Sequence, residues 1–187
     1  MNKNFQWLGI ALLVVAVVAP GTYPTPALAD GAAELDREAD TALQKLYDQS
    51  PEARKLKEKV KGVLVFPSIT KVGFLIGGQY GEGALRKNGK SVDYYNSVAT
   101  SYGLQAGVQT FGYALFLMSD SALDYLDNSE GFEIGSGPSV VMVDKGMATS
   151  MTSTTLKDDI YAFTFDQKGL MAGLGLQGTK ITKMTKP

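Results

Sequence analysis

Four stretches of this 187-residue chain carry residue types at spacings that suggest catalysis, cofactor or metal binding, and a fifth carries a dense positive charge. Ala84-Leu-Arg-Lys-Asn-Gly89-Lys90-Ser91 fits the relaxed form of a phosphate-binding loop, which needs a strand before it and a helix starting at Lys-Ser, so that backbone N–H groups converge on phosphate. Here Ser91 is followed by Val-Asp-Tyr-Tyr, a strand-like run, so the stretch reads as a hairpin with Lys87 and Lys90 as solvated turn residues. Gly173-Leu-Gly175-Leu-Gln-Gly178 has dinucleotide-binding spacing, but too little chain follows it to build the helix, second strand and ribose-binding acid of that fold. Asp158 and Asp159 are adjacent, so a strand points them to opposite faces and denies them a shared substrate. Asp124, Asp127 and Glu130 lack the alternating acids and central glycine of an EF-hand, which leaves only a loose calcium site as an alternative.

The chain has no histidine and no cysteine. Zinc on Cys/His ligands, imidazole-based triads, iron–sulfur clusters and disulfides are thereby excluded. With 18 basic and 19 acidic side chains the formal net charge is −1, which gives no global attraction to nucleic acid. No convergent acid pair supports catalysis by carboxylates and tyrosines alone. The expectation is a protein that is not an enzyme and takes no cofactor, nucleotide or nucleic acid.

The positive cluster is Arg54, Lys55, Lys57, Lys59 and Lys61, net +3 over residues 50–61 once Glu52 and Glu58 are counted. Ala53, Leu56 and Val60 recur beside it at helical spacing. Two readings stand side by side. In one, the stretch is a basic amphipathic helix that adheres to anionic lipid; in the other, Leu56 and Val60 pack on a sheet while the lysines are simply solvated.

The elements that must position these residues follow from periodicity. Asp30 is placed to cap a helix whose apolar residues Ala32, Leu35, Ala39, Ala42, Leu43, Leu46 and Tyr47 form one buried stripe. Ser50-Pro51 starts a second, basic helix expected to run through Lys61 to Gly62. Strands are expected at 63–66, 72–80, 83–86, 92–96, 104–117, 139–143, 160–165 and 170–176, with Asn88-Gly89 as a hairpin turn. A short helix capped by Asp120 is expected over 121–127, and a loop or edge strand near 149–155. Glycines fall repeatedly inside the strand-like runs, as at Gly77, Gly81, Gly83, Gly107 and Gly112, where they cost stability unless they relieve a bend or a close approach. The fold class is therefore α+β: N-terminal helices packed on a strongly curled, mainly antiparallel, glycine-rich β-sheet or small barrel.

Upstream, Lys3 precedes the apolar run 5–19, a stretch short for a bilayer span, and a proline-rich segment then leads to Ala27-Leu28-Ala29. This reads as a signal peptide over residues 1–29 with cleavage before Asp30. A single domain, residues 30–187, then remains in the periplasm or secreted medium.

Gly62-Val-Leu-Val-Phe-Pro67-Ser-Ile-Thr-Lys71-Val-Gly73-Phe74-Leu-Ile-Gly77-Gly78-Gln-Tyr-Gly81-Glu-Gly83 resembles the opening signature of the SYLF domain family. Tyr102-Gly-Leu-Gln-Ala-Gly-Val-Gln109 and Lys168-Gly-Leu-Met-Ala-Gly-Leu-Gly-Leu-Gln-Gly178 fit two later stretches, so the resemblance spans about residues 50–181. It implies a non-enzymatic lipid-binding module. Eukaryotic members bind phosphoinositides through a basic helix at the domain's start and in some cases bind actin; bacterial relatives are exported. Arg54, Lys55, Lys57, Lys59 and Lys61 occupy the place of that helix. A signal peptide and the lack of SH3 or FYVE domains set this chain apart from the eukaryotic pattern, which leaves anionic lipid in general as the expected partner. The alternative is an envelope structural or stress-related protein acting through a protein partner.

Overall fold

The computed structural model describes residues 28–143, 157–169 and 176–185. Most of the proposed signal peptide, the expected loop at 149–155, most of the expected strand 170–176 and two glycines of the 173–178 triplet lie outside the described residues. Helix α1, Leu28–Gln49, buries Leu35, Ala39, Ala42, Leu43, Leu46 and Tyr47, the stripe expected from the spacing. Its start differs. The helix begins at Leu28, so Asp30 does not cap it but stands in its first turn, where a carboxylate favours the positive end of the helix dipole.

Two very long strands dominate the sheet: β1, Gly62–Lys87, and β2, Lys90–Leu117, paired antiparallel along their whole length. Five of the expected strands are therefore segments of these two, because the glycines that read as breaks lie within one continuous ladder. The turn between them is Asn88-Gly89 with φ of 50° and 77°, the two positive values a type I′ hairpin requires. Helix α3, Asp120–Asn128, is capped by Ser119 rather than Asp120, whose place is the first helical turn; Ser119 Oγ accepts from Ala122 N at 3.2 Å. Strand β3, Gly131–Glu133, and β6, Lys180–Met184, are additional to the strands expected from the sequence; β4 is Val140–Met142 and β5 is Ile160–Gly169. The free side of β2 pairs with β6 over 94–98 and with β5 over 109–117. One pairing, β4 with β5, is parallel, so the sheet is mixed.

The sheet curls into a half-barrel. A straight strand of 26 residues would run about 85 Å, far beyond the width of a small domain. Tyr113 and Ser97 lie sixteen residues apart on β2, about 53 Å if straight, yet the Tyr113 hydroxyl donates to Ser97 Oγ at 2.8 Å. A bulge at 66–69 of β1 and another in β2 between Gly103 and Gly107, opposite 73–75, supply part of the bend. Close approach of the strand's two ends supplies the need for glycine: a Cβ at Gly81 would meet Ser68 O at 2.5 Å, and one at Gly83 would meet Val65 O at 2.5 Å. The inward face holds one core, including Leu64, Phe66, Ile69, Leu85, Tyr95, Tyr113 and Leu115. The outward face holds a second, where α1 covers Val63, Val65, Ala84, Tyr94, Ala114, Phe116 and Phe163.

Candidate lipid-facing site

The basic segment begins as expected and ends early. Ser50 Oγ accepts from Ala53 N at 3.1 Å, and Pro51 opens helix α2, but the helix runs only Pro51–Leu56, with Lys57 as its C-cap. The expected basic helix through Lys61 is thus corrected to six residues followed by a turn. Like charges at Lys55, Lys57, Lys59 and Lys61 disfavour continuation, and the Lys61 N–H is taken at 2.8 Å by Leu117 O at the end of β2. Ala53 and Leu56 are buried in the outward core and Val60 packs against it, so this apolar stripe serves the fold.

The five basic residues separate into two groups. Lys57 and Lys61 line a cavity of about 530 Å³ bounded by α1, the turn leading into β1, and the tip of the β1–β2 hairpin. Arg54, Lys55 and Lys59 do not line it, although all three are exposed. Lys57 Nζ sits 5.2 Å from the centre of the Tyr47 ring, whose hydroxyl is held above its ordinary pKa by burial. Lys61 Nζ lies 3.0 Å from Asp120 Oδ2, and Arg54 lies 3.2 Å from Asp48 Oδ1 while its Nε donates to Tyr47 O at 3.0 Å.

Across the cavity stand Arg86, Lys87, Asn88 and Gly89. The Asn88-Gly89 turn signal accounts for Lys87 at the hairpin tip but not for its approach to Lys57. The signal is the curl itself, which returns the hairpin tip to the start of β1. Arg86 is buried, and its guanidinium donates to Ser91 Oγ at 2.6 Å, to Gly89 O at 2.9 Å and to the Asp40 carboxylate. Ser91 also donates to Asp36, as does Tyr94 at 2.9 Å. The Tyr94 hydroxyl is pushed up by burial and by that carboxylate. This network clamps α1 to the hairpin and uses the charge of Arg86 internally. Lys57, Lys61 and Lys87 are left as the cations of the cavity, above apolar walls from Leu43, Val60 and Val63. A second cavity of about 360 Å³ on the other flank of α1 sets Glu34, Glu38 and Asp166 against Arg37 and Lys45, with no positive excess.

The remaining candidate sites resolve structurally. Residues 84–91 form strand, turn and strand, without the helix a phosphate cradle needs. Asp158 accepts from Ser139 Oγ at 2.9 Å and Asp159 from Ser119 Oγ at 2.8 Å, so the two acids anchor different segments. Asp127 faces Tyr95 and Lys183. Among the described residues no group of three or more acids is placed to hold a metal ion, and no helix is long and apolar enough to cross a membrane. Within the inward core Phe66 and Tyr113 stack with ring centres 4.6 Å apart.

A long curled hairpin with helices on its outward face, glycines where the strand meets itself and a cationic cavity at the hairpin tip together describe a small α+β domain of the half-barrel type. Residues 98–186 match the family model Ysc84, described as Las17-binding protein actin regulator. That match supports the SYLF domain family assignment, and the second and third of the three motifs fall inside it. The family is one of lipid- and actin-regulator-related domains. The matched segment starts in the middle of β2, so α1, α2 and the cavity lie before it. No curated protein matches the chain.

Proposed function

We propose that this chain is an exported, non-enzymatic domain that binds anionic lipid at a membrane surface, with Lys57, Lys61 and Lys87 meeting the headgroup charge. The observation that carries the reading is the cavity at the hairpin tip, where three lysines stand over apolar walls. That combination suits a molecule with an anionic end and an apolar end. Each lysine near an anionic surface contributes about 1 kcal/mol, and the Asp120 partner reduces the share of Lys61. Arg54, Lys55 and Lys59, exposed beside the cavity, add long-range attraction that salt screens. Adhesion is electrostatic at this segment, since Ala53 and Leu56 are committed to the core.

Flotation with vesicles of neutral and anionic lipid tests the reading. The parent should float with anionic vesicles at low salt and lose this as salt rises. The triple change Lys57→Gln, Lys61→Gln, Lys87→Gln should reduce the bound fraction tenfold or more. Equal flotation of parent and triple variant would remove the lipid site from this cavity. The alternative reading, an envelope protein acting through protein partners, is favoured by an exposed apolar face elsewhere on the sheet.

A further inference from the structure

We propose that this protein self-associates, a second copy packing against the outward face of the middle of the β1–β2 ribbon. This goes beyond the lipid reading and uses a different surface. Between Lys71 and Glu82 no residue of β1 carries a charge. On the outward face of this stretch Ile76 is 66% exposed, Tyr80 51% and Val72 48%; on β2, Val108 is 58% exposed and Val98 42%. The ladder sets Val72 directly opposite Val108 and Tyr80 directly opposite Val98, so the five side chains form one stripe across two strands. Elsewhere the same face is buried beneath α1 and α2, through Ala84, Tyr94, Ala114 and Phe116. The stripe is the uncovered continuation of that core.

Charge on either side of the stripe selects the occupant. On the β1 side lie Glu82 and, from α1, Glu34 and Glu38, which share a cavity with Tyr80. On the far side of β2 lie exposed Lys180, paired with Val98, and exposed Lys168, paired with Thr110. A two-fold axis along the strands sets the acidic flank of one copy against the basic flank of the other, at both ends of the contact. An anionic bilayer would meet the acidic flank unfavourably. The stripe presents about 500 Å² per copy, so a dimer buries about 1,000 Å², the lower end of specific interfaces. The association is accordingly weak and concentration-dependent.

Sedimentation equilibrium across two decades of protein concentration reads this directly. The weight-average mass of the parent should rise towards twice the monomer mass, and Ile76→Lys or Val108→Lys should hold it at the monomer with unchanged circular dichroism and melting temperature. Glu82→Lys should weaken association several-fold, and Lys180→Glu added to it should restore association. These exposed charge changes keep the test available if a lysine within the stripe disturbs folding. A parent that stays monomeric throughout overturns the proposal. So does a dimer indifferent to the stripe and charge-swap variants, or an Ile76→Lys variant that keeps the parent's mass and loses vesicle flotation, which would make the stripe a lipid contact.

Discussion

Replacing Gly83 by alanine adds one methyl group, and the surroundings of that methyl decide the outcome. A Cβ built on Gly83 would lie 2.5 Å from Val65 O and 2.6 Å from Phe66 Cδ1. Comfortable contact begins near 3.5 Å, so the two ends of β1 must separate by close to an ångström. The obstacle is backbone on one side and a fully buried ring on the other, and Phe66 is itself stacked on Tyr113, so neither can swing aside. Overpacking of this kind costs about 1–3 kcal/mol, and the position in the tightest part of the curl argues for the upper part of that range. Gly78→Ala is the matched control. It lies on the same strand, and its added Cβ would meet only Ala99 O, at 3.8 Å. That change should be neutral or stabilising by up to about 1 kcal/mol, through reduced freedom of the unfolded chain. Urea unfolding of parent and both variants gives the comparison. Equal stability of Gly83→Ala and Gly78→Ala would refute the claim that glycine is needed where the strand meets itself.

Arg86→Gln should lower stability by about 2 kcal/mol, because Asp36 and Asp40 lose their buried partner while remaining part-exposed themselves; urea unfolding checks this, and Arg86→Lys should recover only part of the loss, since one ammonium cannot span Asp40, Gly89 and Ser91. Tyr113 and Tyr95 are held protonated above the ordinary value of 10.0, first by burial and for Tyr95 also by Asp127 and Asp93. Their contribution to stability is therefore complete below pH 10 and is lost as pH rises above it; unfolding free energies across that range should fall, and less steeply for Tyr113→Phe. Tyr80, hydrogen-bonded to Glu82 at 2.6 Å and pushed up to about 12 mainly by that bond, should titrate later than a free phenol in absorbance at alkaline pH, and Glu82→Gln should bring it down. N-terminal sequencing of the exported protein should begin at Asp30, and a product retaining residues 1–29 would remove the export reading.

How far the sequence discloses this fold depends on whether the deciding interaction is local. The stripe of α1 and the Asn88-Gly89 turn are set by neighbours three or four residues apart or by two dihedral angles, and both are legible. The continuity of β1 is not, because a glycine such as Gly81 reads as punctuation until its partner twelve residues back, Ile69, is known to press on it. Strands β3 and β6 escape notice for a similar reason. Gly131–Glu133 is three residues long, and Lys180–Met184 mixes lysine with threonine, so pairing with each other and with β2 makes them strands. At the site, the dense run 54–61 announces its charge, while the separation of Lys57 and Lys61 from Lys55 and Lys59 depends on where α2 stops. Lys87 joins them from thirty residues away.

The curl and the site are one arrangement. The first residue of β1, Gly62, lies against the last turn of the same strand, where an added Cβ would meet Leu85 Cδ1 at 3.3 Å and Lys87 Cγ at 3.4 Å. Were β1 straight, its ends would stand about 85 Å apart and Lys87 would have no relation to Lys61. Closing the strand on itself sets the hairpin tip beside the α2–β1 turn, and Arg86 then fixes α1 across the gap through Asp40 and, by way of Ser91, Asp36. Three segments distant in sequence thereby enclose the cavity, and glycine at 81 and 83 is the condition for their meeting. A strand rich in glycine is in this sense a specification of shape. It specifies how tightly the ribbon turns, and the lysines that the turn collects are set by other positions.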